Sequence, residues 1–453
     1  MTRRLSAISP GDWIPLVPAE WSIDRLGNVA DIIFSNVDKH TNEDEEPVLL
    51  CNYVDVYKND RITHNIDFME ATADTREIRR FQIECGDVLV TKDSETPNDI
   101  AISSVVQEPL PGVLCGYHLA LIRPRSHSIS GTYLAWVHVS KSFRAHYEAQ
   151  AVGVTRFGLS QYAFREARVP VPPLHEQQRI VDFLDASCAA IDAAIGAKRQ
   201  QVETLDALRK SVSHQVLSEG LRPGLPLKDS GIESIGFIPA HWDVKQLRYA
   251  CEVNYGITLQ LEKGQSEGDG VRILTVSNIT INGGLDLKEE YYIDPAELTR
   301  ADYLRHGDLL FNWRNGSQYH VGKTAFFNLE GEFAHVSFLL RIRCGRRMSP
   351  FFLRSYLGIL KDSGFFAGAK DKVNKTFNST ELKRLRIVIP PLEEQEEVCR
   401  EIEQRAKKIN DVKVSIEAQI STLLAYRKSL IHECVTGQRR ITGADLKKVK
   451  AHA

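Results

Sequence analysis

None of the eight cysteines (Cys51, Cys85, Cys115, Cys188, Cys251, Cys344, Cys399 and Cys434) forms a Cys-x-x-Cys pair with another. Zinc-site spacing is therefore missing, and reduced, mostly buried thiols that pack as small hydrophobes are expected. No apolar run reaches the roughly 20 residues that a membrane helix needs. The opening stretch from Met1 to Trp13 lacks the apolar core of a secretory signal, so a cytoplasmic, membrane-free protein is expected. A surplus of positive charge is also absent. Lys and Arg number 57 against 59 Asp and Glu, a net charge of −2. Any phosphate-gripping footprint must then be local, offset by acidic surface such as Glu43 to Glu46.

The constellations of common enzymes are missing too. There is no Gly-rich cofactor loop paired with an Asn/Asp-Pro-Pro-aromatic run, as a methyltransferase acting on extruded bases requires. Gly322-Lys323-Thr324 looks like the end of a phosphate loop, but Ser317 stands where its first glycine should be. The residues that follow, Ala325 to Asn328, read as a strand, so no helix N-terminus would face a phosphate. Lys92-Asp93-Ser94-Glu95 is the nearest approach to a metal-dependent nuclease cluster, and it is a single short loop. The histidines show no ligand spacing. The chain is expected to catalyse nothing and to hold no cofactor or metal.

What is present is a repeat. Val169 to Asp185 reads VPVPPLHEQQRIVDFLD, and Ile387 to Glu403 reads IVIPPLEEQEEVCREIE. An offset of 218 residues pairs Pro173 with Pro391, Glu176 with Glu394 and Gln177 with Gln395, and still holds where LRKSVSH meets YRKSLIH. Ahead of each copy, IPLVPAEW ending at Trp21 answers GFIPAHW ending at Trp242, at an offset of 221. That offset also pairs Gly86-Asp87 with Gly307-Asp308. Between these landmarks the copies diverge.

The shared segments read as helices of about 40 residues, about 60 Å each. Leu184, Ile191, Lys198, Leu205 and Val212 recur every seven residues, as do Ile402, Ile409, Ile416, Leu423 and Leu430. Ile195, Val202, Val398, Val412 and Ile420 widen the two seams. Helices this amphipathic need a partner, and each is the natural partner of the other. Ordinary packing onto the flanking domains is the alternative. The diverged units read as mixed α/β, with strands at Asp87–Val90, Leu119–Ile122, Leu309–Phe311 and Phe338–Ile342 and helices at Tyr133–Glu148 and Pro350–Leu360.

Two polar loops follow the Gly-Asp strands at matched positions. One carries Lys92, Asp93 and Ser94; the other carries Trp313, Arg314, Asn315 and Gln318. Such side chains read base edges. A basic stretch from Lys361 to Arg386, including Lys370, Lys372 and Lys375, suits phosphate contact; Arg156 and Gln161 occupy the matching stretch of the first copy. A solvated polar surface is the plainer reading of each.

The duplicated Pro-Pro-Leu-x-Glu-Gln, the duplicated Pro-Ala-x-Trp and the paired Gly-Asp strands together resemble the specificity subunits of type I restriction-modification systems. The resemblance implies a mixed α/β fold with two target-recognition domains, separated by two long helices in an antiparallel coiled coil with a pseudo-twofold repeat. It places the first recognition domain at 1–168, a central helical region at 169–221, a linker at 222–234, the second recognition domain at 235–386, a distal helical region at 387–440 and a tail at 441–453. It further implies that each domain reads half of a split site on double-stranded DNA. The chain would dock two methyltransferase subunits, and two restriction subunits could join. S-adenosylmethionine, magnesium and ATP would be held by those partners. A coiled-coil scaffold that binds protein without DNA specificity is the alternative, and the divergence of the two units fits it less well.

Overall fold

Runs as apolar as Val88–Thr91 and Leu119–Pro124 can only form strands covered on both faces, and that is what they do. The computed structural model describes residues 2–4, 14, 16–258, 270–280, 283–315, 320–367 and 375–452. The chain divides into two units, Met1–Arg199 with Glu417–Ala453, and Gln200–Ile416. Both are built to one plan.

In the first unit a five-stranded sheet runs in the order Ala30–Phe34, Leu119–Pro124, Val88–Thr91, Ser103–Val106, Arg61–Ile62. Its pairs are antiparallel except the last. In the second unit Cys251–Tyr255, Leu339–Cys344, Leu309–Asn312 and Thr324–Phe326 repeat the first four positions, all antiparallel. Each unit adds a three-stranded sheet: Val113–Cys115, Glu46–Cys51 and Met69–Ala73 in one, Phe333–His335, Val271–Leu274 and Tyr291–Ile293 in the other. A strand before the long helix returns to the start of its unit, Arg168–Val171 against Ser22–Arg25 and Arg386–Ile389 against Asp243–Gln246.

The two long helices span Leu174–Glu219 and Leu392–Val435, 46 and 44 residues. Within the first unit, Asp192 meets Arg427 and Lys198 meets Gln419. Within the second, Asp206 meets Lys413 and Arg222 meets Glu397. In each unit one helix number rises as the other falls, so the pairing is antiparallel. The seam is apolar as expected: Leu184, Ile191, Ile195, Val398, Ile416 and Leu430 are buried. Val412 is the departure, half exposed.

One reading is corrected. The expected helix from Tyr133 to Glu148 is two, Gly131–Val139 and Lys141–Gln150, because Ser140 takes an extended ψ of 124° and caps both. From the expected linker, Leu227–Asp229 pairs antiparallel with Phe237–Pro239. Every cysteine is a free thiol, and all but Cys85 and Cys344 are buried. Among the described residues no helix is long and apolar enough to cross a membrane.

Candidate nucleic-acid interface

The Gly-Asp motif aims one strand of each unit. Gly86 and Gly307 turn the chain at φ of 92° and 91°, a region that favours glycine. The aspartate that follows is buried and clamped by arginine. Asp87 accepts from Arg123 at 2.9 and 2.7 Å, and Asp308 from Arg343 at 2.8 and 2.7 Å. Such bidentate pairs fix geometry as well as charge. The strands they start, Val88–Thr91 and Leu309–Asn312, end at the predicted loops.

Each loop then pairs with the stretch just before its unit's last short helix. Asp93–Ser94 lies antiparallel to Phe157–Gly158, with Asp93 opposite Gly158. Arg314–Asn315 lies antiparallel to Lys375–Thr376, with Arg314 opposite Thr376. Two sets of residues named from separate parts of the sequence are thus brought to one place in each unit, in the same register.

The chemistry at that place differs between the units. In the first, Asp93 is half-buried and accepts from Arg156 Nε at 3.1 Å and Nη2 at 2.5 Å, and its other oxygen lies 2.8 Å from His118 Nδ1. The hydrogen bonds it donates to Asp93 strengthen Arg156's hold on its proton. With Tyr117, Val152 and Phe157 these groups line an open cleft of about 420 Å³. Val152 and Val154, on the hairpin beside it, are 80% and 92% exposed, a costly place for bare apolar side chains unless something covers them. Lys92 points inward: its Nζ donates to the Ser35 carbonyl at 3.0 Å and sits over the Phe34 and Tyr117 rings, and burial lowers its pKa. Ser94 is buried, and Gln161 donates to the Ile32 carbonyl at 2.6 Å.

In the second unit Arg314 is exposed over the Phe338 ring at 5.8 Å. Trp313 is half-buried, donating to the Ser337 carbonyl at 2.7 Å and set edge-on to Tyr255. The 221-residue offset maps Asp93 onto Arg314 and Tyr117 onto Phe338, so equivalent positions carry opposite charge beside an aromatic ring. Asn315 and Lys375 are placed by their backbone strands. Gln318, Lys370 and Lys372 lie outside the described residues.

Tyr117, His118 and Phe338 were not legible as part of this place from composition. The same offset, extended past the Gly-Asp strand, would have pointed to them. The signature motifs themselves are structural. Trp21 donates to Glu176 at 3.0 Å and Trp242 to Glu394 at 2.8 Å. Burial raises the Glu394 pKa, but the bonds from Trp242 and His241 outweigh it and hold the carboxyl below its usual range.

Residues 18–204 match the family model described as the type I restriction modification DNA specificity domain. The chain is similar to the type I restriction enzyme EcoKI specificity subunit of Escherichia coli K12, 24% identical over 430 residues, which span 90% of this chain and 86% of that one. Among solved structures it resembles a chain from a type I R-M system (TM-score 0.74, 18% identity, 93% of this chain and 99% of that one). It also resembles the HsdS subunit of Thermoanaerobacter tengcongensis (TM-score 0.55, 18% identity, 93% and 98%).

Proposed function

We infer that this chain belongs to the specificity subunits of type I restriction-modification systems, and that it is the non-catalytic part of the complex that recognises DNA sequence. The observation that carries the reading is the duplicated scaffold with opposed chemistry at one position. Identical landmarks build two equivalent platforms, and the platforms then present Asp93 with Arg156 on one and Arg314 on the other. A scaffold that binds one protein has no use for that difference; a reader of two unlike half-sites does. Arginine suits guanine, and a carboxylate suits cytosine.

Docking of methyltransferase subunits, one beside each platform, follows from the repeat, since near-equivalent faces bind identical partners. Restriction subunits would join that assembly. The base-reading groups are Arg156 with Asp93, and Arg314 with Asn315 and Gln318; Lys370, Lys372 and Lys375 would hold phosphates. Lys92, Ser94, Gln161 and Trp313 position these platforms through the contacts they make within the fold.

The test uses the purified chain with and without a methyltransferase partner. Alone it should transfer no methyl group. With the partner, methylation should appear at a two-part sequence and vanish when either half is scrambled. Methyl transfer by the chain alone, or transfer indifferent to both halves, overturns the reading.

A further inference from the structure

One crevice occurs in both units, between the domain helix, the edge of the main sheet and the two long helices. In the first unit it is lined by Ser103, Ala135, Trp136, Val139, Asp185 and Asp192, with Arg427 across it. In the second it is lined by Thr324, Arg354, Ser355, Gly358 and Glu403, with Arg209 across it. These are the same positions. The offset of 218 carries Asp185 to Glu403 and Arg209 to Arg427; the shared cap that puts Ser130 and Ser349 on the two buried glutamines carries Ala135 to Arg354, Trp136 to Ser355 and Val139 to Gly358.

The first crevice is closed on itself. The Trp136 indole donates to Asp185 at 2.9 Å, Arg61 pairs with Asp185 at 2.7 Å, and Arg427 pairs with Asp192 at 3.1 Å. About 200 Å³ remains. The second lacks the indole and the Asp192 pair. Ser355 and Gly358 replace Trp136 and Val139, and Asn410 replaces Asp192, so the arginine equivalent to Arg427 has lost its carboxylate. The space grows to about 660 Å³, within the range of small-molecule sites.

Its walls are cationic. Arg209, Lys210, Lys323, Arg354 and Lys361 face Asp362 and Glu403, five cations against two carboxylates. Lys323 is 7% exposed and lines the crevice beside Lys361. Burial, and then the neighbouring Lys361, hold it below the ordinary lysine range. Shielding from water beside a like charge disfavours the ammonium, and an anion in the crevice would relieve both effects. Lys323 belongs to the Gly-Lys-Thr triplet whose spacing excludes a phosphate loop. The strand that starts at the next residue, Thr324–Phe326, delivers it to the crevice by another route.

We propose that the crevice of the second unit is an anion site that takes a phosphate group through Lys323, Arg354 and Arg209. The convergence of cations with the Ser355 hydroxyl suits a tetrahedral oxyanion. A pyrophosphate-sized compound fits the volume, and a DNA phosphodiester is the other source of the same chemistry.

The full chain is titrated with sodium pyrophosphate at constant ionic strength, with sodium sulfate as the control, by calorimetry and by thermal unfolding. A saturable rise in Tm with pyrophosphate that exceeds sulfate is expected. Lys323→Met and the plugging variant Ser355→Trp should each weaken the dissociation constant tenfold or more. Ser355→Trp restores the natural state of the first unit, so it keeps the test informative if Lys323→Met folds poorly. If pyrophosphate has no effect but Lys323→Met lowers affinity for every duplex alike and reduces the salt slope by about one, the phosphate is DNA's. No saturable response to either, or a response equal to sulfate or unchanged in both variants, overturns the proposal.

Discussion

Gln177 and Gln395 are signature residues that sit inside the joint between elements rather than at the surface. Both are fully buried. Gln177 accepts from the Ser130 amide and donates to the carbonyls of Ser128 and Pro172; Gln395 does the same with Ser349, Arg347 and Pro390. Each side chain ties the long helix to the domain helix and to the strand before it. Replacing Gln177 by leucine would strand one amide and two carbonyls in a dry joint, at about 1–3 kcal/mol for each group left unpaired. Gln177→Leu is expected to lose roughly 3 kcal/mol or more of stability, read as a lower denaturation midpoint. A loss below about 1 kcal/mol would mean the joint is held by something else. The glutamines were conspicuous in the sequence because they recur, but recurrence alone could not tell a structural amide from a contact to DNA. Burial decides it.

At the scale of elements, the long helices were the most legible part of the chain. Both lie inside the expected helical regions, because a Pro-Pro turn starts each and a seven-residue apolar repeat runs through it. The break at Ser140 was not legible, since neither proline nor glycine marks it. Nor were the pairings of Asp93–Ser94 with Phe157–Gly158 and of Arg314–Asn315 with Lys375–Thr376, which join residues about 60 apart through two-residue strands too short to carry a period. What holds the helices together can be tested within the first unit. Ile195 is 4% exposed in the seam, whereas Lys198 reaches across to Gln419 at the surface. Ile195→Asp buries an unpaired charge and is expected to cost more than about 3 kcal/mol. Lys198→Ala is expected to cost less than about 1 kcal/mol. Chemical denaturation of the two variants compares them directly, and equal losses would mean that polar contacts share the work of the seam.

For the whole molecule, the duplication settles how mutations at the two platforms should differ. The 221-residue offset makes Asp93 and Arg314 equivalent in place, while their charges are opposite. Arg156 holds Asp93 on the first platform, and Arg314 stands exposed on the second. If each platform reads its own half-site, Arg314→Ala should relax preference in one half and leave the other intact, and Arg156→Ala should do the reverse. A lost bidentate contact to a base costs about 1–3 kcal/mol at that position, a fall of roughly tenfold to a hundredfold in discrimination. Lys92 should behave differently from both. Its ammonium is committed to the Ser35 carbonyl between two rings, so Lys92→Met should lower stability before it alters preference. The readout is methylation of a duplex library randomised in both halves, with each variant assembled with its methyltransferase partner. Should Arg314→Ala change both halves equally, the two platforms act as one reader; should it change neither, the bases are read elsewhere on the second unit.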